Sequence, residues 1–377
     1  MQRILAALAV VAALTACDAR SPDSAAPVAP DASHVSENAA PQVIASGLWF
    51  PRGFAFGRDG AIYIAEAGVP EGNEMSTIGQ CAQVPGAPGP GPGPWTGGFT
   101  GRISRVTMHG ERTTIASALP SGRDQFGDVE GPADIAFDDH QMFVMISAGC
   151  AHGHVNEPSS LNRVEKNGKL HMTANLSRWL RANPTAHPEE DDFEPDGSWY
   201  SMAAAGDRFY LVEANQGNLI SVRPNDGKIH RVADVSATEN GHVVPTAVSL
   251  VRGRDDLLVG ELRPFPAVPG SADVIRFDRD GSVDSRLHGF SAVLGTASDW
   301  RGNSYVLESF TCPTADPCFP SPGSGQVIRV ARDGTRSVVA RGLSFAGALR
   351  MGPDGALYVS NFSYGPPRSG QIIRIPL

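Results

Sequence analysis

Apolar and polar residues alternate from Gly53, break at an Asp-Gly pair and alternate again to Glu66, in the order Gly53-Phe-Ala-Phe-Gly-Arg-Asp-Gly-Ala-Ile-Tyr-Ile-Ala-Glu66. A period of two places successive side chains on opposite faces of a strand, and Asp-Gly supplies the positive-φ residues of a tight turn. The segment therefore predicts a β-hairpin. Ala348-Leu-Arg-Met-Gly-Pro-Asp-Gly-Ala-Leu-Tyr-Val-Ser-Asn361 aligns with it without a gap, and looser copies at 133–147, 200–213, 246–261 and 296–308 bring the total to six. A third alternating strand follows each hairpin, at 101–106, 161–164, 218–222, 273–277, 326–330 and 371–375. Turns such as Arg332-Asp333-Gly334 lead to a fourth, as in 336–345. Four strands per repeat make a propeller blade, so the predicted fold is all-β, a six-bladed β-propeller.

The repeat frame also predicts how the ring closes. The sixth repeat ends at Leu377 after its third strand, while residues 42–50 match the fourth strand that ends at Phe345. An N-terminal strand should thus complete the last blade and remove the exposed edges of an open array. The predicted domain runs from 42 to 377. One short helix is expected at 174–182, where Leu176, Trp179 and Leu180 share a face.

Upstream, Met1-Gln2-Arg3 and the apolar run 4–14 have the layout of a secretory signal. The run is too short for a spanning helix, which needs about 20 apolar residues. Leu14-Thr15-Ala16-Cys17 resembles a bacterial lipobox. It predicts removal of residues 1–16 and lipidation of Cys17, anchoring an exported protein on the periplasmic side of an envelope membrane. Residues 17–41, rich in Ala, Pro, Ser and Asp, read as a flexible tether. In such an oxidising compartment the four remaining cysteines favour disulfides. Cys312 and Cys318 share one loop and should pair locally, leaving Cys81 to Cys150; no Cys-x-x-Cys spacing points to zinc.

Composition narrows the function classes. A net charge of −9 disfavours nucleic-acid binding, so membrane contact is expected only through the lipid anchor. The near absence of helices removes the strand-turn-helix setting of a nucleophile elbow. Long second-to-third-strand loops at 68–100, 148–160, 262–272, 309–325 and 362–370 share one face, whereas the opposite face has short Asp-Gly-type turns. Elaborated loops mark the face expected to bind a small molecule or protein partner.

Val244-Pro-Thr-Ala-Val-Ser-Leu, with the stretch from Gly260 to Arg276 that contains Phe265-Pro266, resembles the ScyD/ScyE family of bacterial proteins, which are NHL-like propellers. Gly91-Pro-Gly-Pro-Trp-Thr-Gly-Gly-Phe-Thr-Gly101 and Gly131-Pro-Ala-Asp-Ile135 are similar to that family less fully, and Ala133 stands where the family carries histidine. The resemblance implies the propeller but no assigned reaction.

Candidate chemistry sits at the second-strand ends, where Glu66, Glu213, Glu261, Glu308 and Asn361 occupy matching positions; Asp134 starts an inner strand on the same side. Converging on the channel, these would be oxygen ligands for Ca²⁺. Otherwise they solvate the rim or lock backbone. Arg52, at an inner-strand entrance, is a candidate anion-binding group or salt-bridge partner; His242 is a candidate base, and Trp95 a pocket wall or a pin for the insertion. The sequence reading thus favours a non-catalytic ligand- or protein-binding scaffold, with a lactonase-like, metal-dependent hydrolase as the alternative. A quinone-dependent sugar dehydrogenase would share the Gly47-Leu48 to Pro51 opening, but its His-Gly-x-Arg-Asn motif is missing.

Overall fold

The computed structural model describes residues 40–86, 91–190, 192–238, 242–311 and 318–377. The signal segment, Cys17 and nearly all of the tether lie outside the described residues, as does Cys312.

The turn chemistry shows why the hairpins form. In blade 1 the Asp59 carboxylate accepts hydrogen bonds from Ala61 N–H (3.2 Å), the Tyr63 hydroxyl (3.1 Å) and Arg105 of the third strand (2.8 Å). Asp354 does the same in blade 6 with Ala356, Tyr358 and Arg374. Gly60 and Gly355 supply the left-handed residue, at φ 74° and 78°. Gly57 and Gly352 are needed for another reason: a Cβ at either would lie 2.5 Å from the tyrosine ring of its own hairpin.

Six antiparallel sheets result. Blade 1 contains Pro51–Phe56, Ile62–Glu66, Thr96–Val106 and Arg112–Arg123. Blade 2 contains Pro132–Asp138, Gln141–Ile146, Ser160–Val164 and Leu170–Asn175, and blade 3 Trp199–Ala205, Arg208–Glu213, Asn218–Val222 and Ile229–Asp234. Blade 4 is Pro245–Leu250, Leu257–Glu261, Ala272–Phe277 and Val283–Phe290; blade 5 is Val293–Ser298, Ser304–Glu308, Gly325–Val330 and Arg336–Leu343. Blade 6 joins Ala348–Met351, Leu357–Asn361 and Gly370–Ile375 to the N-terminal strand Gln42–Leu48, with Gln42 opposite Arg374 and Leu48 opposite Gly370. The split-blade closure read from the repeats is therefore present.

Buried clusters fill every interface between neighbouring blades, including the closing one, where Leu48 and Ile372 meet Phe54 and Ile64. Among the described residues every strand falls within 42–377, so the ring of sheets and cores is complete without the tether.

Blade 1 departs from the four-strand pattern. Its third and fourth strands are extended, and the short strands Met75–Ser76 and Val129–Glu130 join the sheet, making six. The end of the region expected to be a loop, from Thr96, is strand instead. Cys81 and Cys150 are disulfide-bonded, tying this insertion to blade 2; Cys318 is also disulfide-bonded. The single α-helix among the described residues, Leu176–Ala182, starts two residues later than expected, where the Asn175 side chain accepts from Arg178 N–H.

Candidate active site

The second-strand carboxylates and Asn361 are buried and occupied within their own blades. Trp49 N–H donates to Glu66 Oε2 (2.5 Å), Ser198 N–H to Glu213 Oε1 (3.2 Å), Ser291 N–H to Glu308 Oε1 (2.7 Å) and Ser344 N–H to Asn361 Oδ1 (2.7 Å). In each case the side chain fixes the backbone leading into the innermost strand of the same blade. Glu66 is further held by Arg102 (3.1 Å), Arg112 (2.6 Å) and the Ser104 hydroxyl, Glu213 by Asn218 (3.0 Å), and Glu308 by Gln326 (2.6 Å). Glu261 lies 3.0 Å from Arg263. Among the described residues no three His, Cys, Asp or Glu side chains gather into a metal-holding group. The expected Ca²⁺ ring is not assembled, because these oxygens are committed to backbone N–H groups and to arginines. A cation would have to break those bonds, so the residues present do not fit one.

Asp134 works differently. It is 1% exposed, and its Oδ2 accepts from Met202 N–H (2.7 Å) and from Arg350 (2.5 Å), while Arg350 also donates to the Met202 carbonyl (3.0 Å). Innermost strands turn a free edge of N–H and C=O groups toward the channel, and this ion pair satisfies both groups of Met202. It joins blades 2, 3 and 6. Gly53 of blade 1 gives it room, since a Cβ there would sit 1.9 Å from Asp134 Oδ1. Burial raises the Asp134 carboxyl even against the opposing charge of Arg350. The pair forms a bolt across the channel.

Toward the long-loop face, each inner strand offers the residues that precede this level. Arg52 there lies 5.2 Å from the centroid of the Tyr200 ring, and its Nη1 is 3.8 Å from Asp128 Oδ1. Glu130 is carried by the added strand Val129–Glu130, which Asp128 immediately precedes and which pairs with the end of Arg112–Arg123. The side chains of Arg52 and Asp128 are 12% and 28% exposed, so both are accessible yet partly shielded. Asp124 sits beside them and accepts from the N–H groups of Phe126 and Asp128, both at 2.8 Å.

A buried layer supports this mouth. Glu130 accepts from the hydroxyls of Ser147 (2.8 Å) and Ser198 (2.9 Å). His152 Nε2 stands 3.9 Å from Glu130 and 3.6 Å from Glu194, with Trp95 edge-on at 4.9 Å. The Cys81–Cys150 bridge holds the short 3₁₀ turn Cys150–His152 that presents the imidazole. Trp95, 3% exposed, pins the insertion. His242 lies apart, 3.5 Å from Asp192.

The electrostatics follow from this packing. Burial pushes Asp128 up, Arg52 pulls it back and Glu130 pushes it up again, leaving it at about 6. Burial and the charge of Asp128 raise Asp124 to about 7. Burial opposes the charge on His152, but Glu194 and Glu130 outweigh it and lift the imidazole to about 10, so it is a buried cation. Burial likewise opposes the charge on Arg52, yet Asp128, Tyr200 and Glu130 hold the guanidinium protonated; Tyr200 is raised by burial.

No family model matches the sequence, and no curated protein is similar to it. Solved structures do align. A glucose dehydrogenase matches over 90% of this chain and 100% of its own, with 12% identity and a TM-score of 0.54. A gluconolactonase from Xanthomonas campestris matches over 89% of each chain, with 11% identity and a TM-score of 0.51. An oxidoreductase from Thermus thermophilus, described as a glucose dehydrogenase, matches over 89% of this chain and 99% of its own, with 15% identity and a TM-score of 0.51. These likenesses show the propeller fold. They do not reach the ScyD/ScyE level of kinship.

Of the groups at the mouth, the sequence reading had singled out only Arg52. Asp128, Glu130 and Tyr200 escaped it, although the acid-rich run Asp124-Gln-Phe-Gly-Asp-Val-Glu130, just ahead of an inner strand, was a usable signal.

Proposed function

We propose that the chain is a hydrolase of a sugar lactone or a similar cyclic ester, acting at the long-loop mouth of the channel without a metal. The observation that carries this reading is the convergence of Arg52, Asp128 and Tyr200, brought from two blades and a connecting strand onto one partly shielded spot. Asp128, ionised above about 6, takes a proton from water as the water oxygen bonds to the lactone carbonyl carbon. The carbonyl electron pair moves onto oxygen, where the Arg52 guanidinium stabilises the anion. Collapse restores the carbonyl and breaks the ring C–O bond, and the proton held by Asp128 passes to the departing alkoxide. The product is a hydroxy acid whose carboxylate matches Arg52. The Tyr200 hydroxyl, protonated throughout, orients substrate hydroxyls. Glucose and its lactone figure in the names of the similar structures, which supports a polyhydroxylated substrate.

Export and a lipid anchor at Cys17 belong to the same proposal, supported by the Cys81–Cys150 disulfide. ScyD/ScyE kinship is retained on its motifs. The scaffold reading is favoured by a different observation: Phe265 and Phe319 stack at 6.2 Å and are 49% and 55% exposed on the long-loop face.

The test is hydrolysis of glucono-δ-lactone by the chain from Gln42, followed by proton release above the spontaneous rate. Turnover should rise with pH through a midpoint near 6, persist in chelator, and fall about 100-fold or more in Asp128→Asn. Turnover equal to the spontaneous rate, or abolished by chelator, sinks the proposal.

A further inference from the structure

Below the Asp134–Arg350 bolt the channel widens into a cavity of ≈ 570 Å³ that opens on the short-turn face. This volume lies within the range of small-molecule sites. The later halves of the inner strands line it, with Phe54, Ile135, Met202 and Val248 among the apolar walls. Its inner end is blind, because Arg350 and Met202 are already bonded across it.

The lining carries a definite charge pattern. It includes Arg252, Arg254 and Arg350 and no Asp or Glu, in a chain whose net charge is −9. Arg350 is neutralised by Asp134 at the blind end. Arg254 is 3.8 Å from Asp256, which is itself bonded to Arg276. Arg252, only partly exposed, makes no ion pair among the described residues; its guanidinium lies over the Trp300 ring, 5.4 Å from the centroid. Trp300 lines the same cavity and is 76% exposed. An interior of apolar side chains interspersed with Ser249, Thr296 and Ser298, and free of acids, therefore ends in a mouth where the Arg252 guanidinium lies beside an exposed indole.

We propose that this cavity binds an amphiphilic carboxylate, with its hydrocarbon body inside the lower channel and its head on Arg252 at the mouth. Burial of methylenes supplies affinity, and the guanidinium selects the anionic head through charge-assisted hydrogen bonds. The site is independent of the hydrolytic mouth, being on the other side of the bolt.

Octanoate and octan-1-ol, which share a body and differ in the head, are the probes. They are titrated against the chain from Gln42 by tryptophan fluorescence, with Trp300→Phe identifying the reporting indole, and by calorimetry. Octanoate should bind at least about tenfold tighter than octanol, and Arg252→Gln should remove that preference. Ala204→Leu places bulk in the cavity from an exposed wall position and should block both probes, while Asp128→Asn should leave binding unchanged and so separate this site from the hydrolytic one. Equal affinity for the two probes, no saturable binding, or octanoate binding untouched by both Ala204→Leu and Arg252→Gln would overturn the proposal.

Discussion

The two ends of the channel are built from the same six strands and could hardly differ more. At the long-loop end the inner strands begin, and the long second-to-third-strand loops gather beside them. Loops and connections at this end bring Asp128 to Arg52, and Glu130 and Glu194 to His152, from far along the chain. At the other end the strands finish in short turns, whose aspartates are engaged by their own hairpin's N–H groups and tyrosine. With no long connection to carry acids inward, that end is walled by strand residues and edged by arginines. One end gathers titratable groups from several loops and the other is edged by arginines with no acid beside them in the lining. The difference lies in loop length, because a tight turn satisfies its own polar groups and has none to spare.

The Asp134–Arg350 bolt separates these compartments, and removing it tests the comparison most severely. Arg350→Met leaves the buried Asp134 carboxylate unpaired and the Met202 carbonyl without its donor, so denaturant unfolding should show a loss of about 3–5 kcal/mol. Asp134→Asn with Arg350→Met should recover part of this, since no charge then remains buried. Equal stability of the single variant and the parent would mean that the ends are not held apart by this pair.

Glu66→Gln asks whether a second-strand carboxylate belongs to the proposed hydrolytic site. It should lower stability by about 1–3 kcal/mol, because Arg102, Arg112 and Trp49 N–H lose a shared acceptor. Turnover per folded molecule should stay unchanged. A selective loss of turnover would return the carboxylate ring to the site.

A pH dependence is expected at the long-loop end. The His152 imidazole, raised to about 10 from about 6.5 in the unfolded chain, contributes stability that is complete below about 6.5 and lost as pH rises through about 10. Thermal melts should place His152→Gln below the parent at pH 6, with the gap closing toward pH 10. A gap that widens with pH would show the imidazole to be neutral.

The fold was legible because each element announces itself locally. Gly57-Arg-Asp-Gly-Ala-Ile-Tyr63 and Gly352-Pro-Asp-Gly-Ala-Leu-Tyr358 encode a hairpin, its turn and the tyrosine that closes on the turn, all within seven residues. The site was not so legible. Glu66, Glu213 and Glu308 repeat at matching positions and so invited a shared role, which they have as locks within single blades. Asp128 lies outside the repeated hairpins and Tyr200 at the start of one, 72 positions apart in the numbering, yet both face Arg52.

The sequence by itself determined the hairpins, the count of six and the strand that completes the last blade, because alternation, Asp-Gly turns and repeat spacing act over short distances. Only the tertiary structure decided which polar groups meet at the axis. Ring closure brings Asp134 against Arg350 across 216 positions of chain, and each carboxylate's task is set by the donor that packing delivers to it.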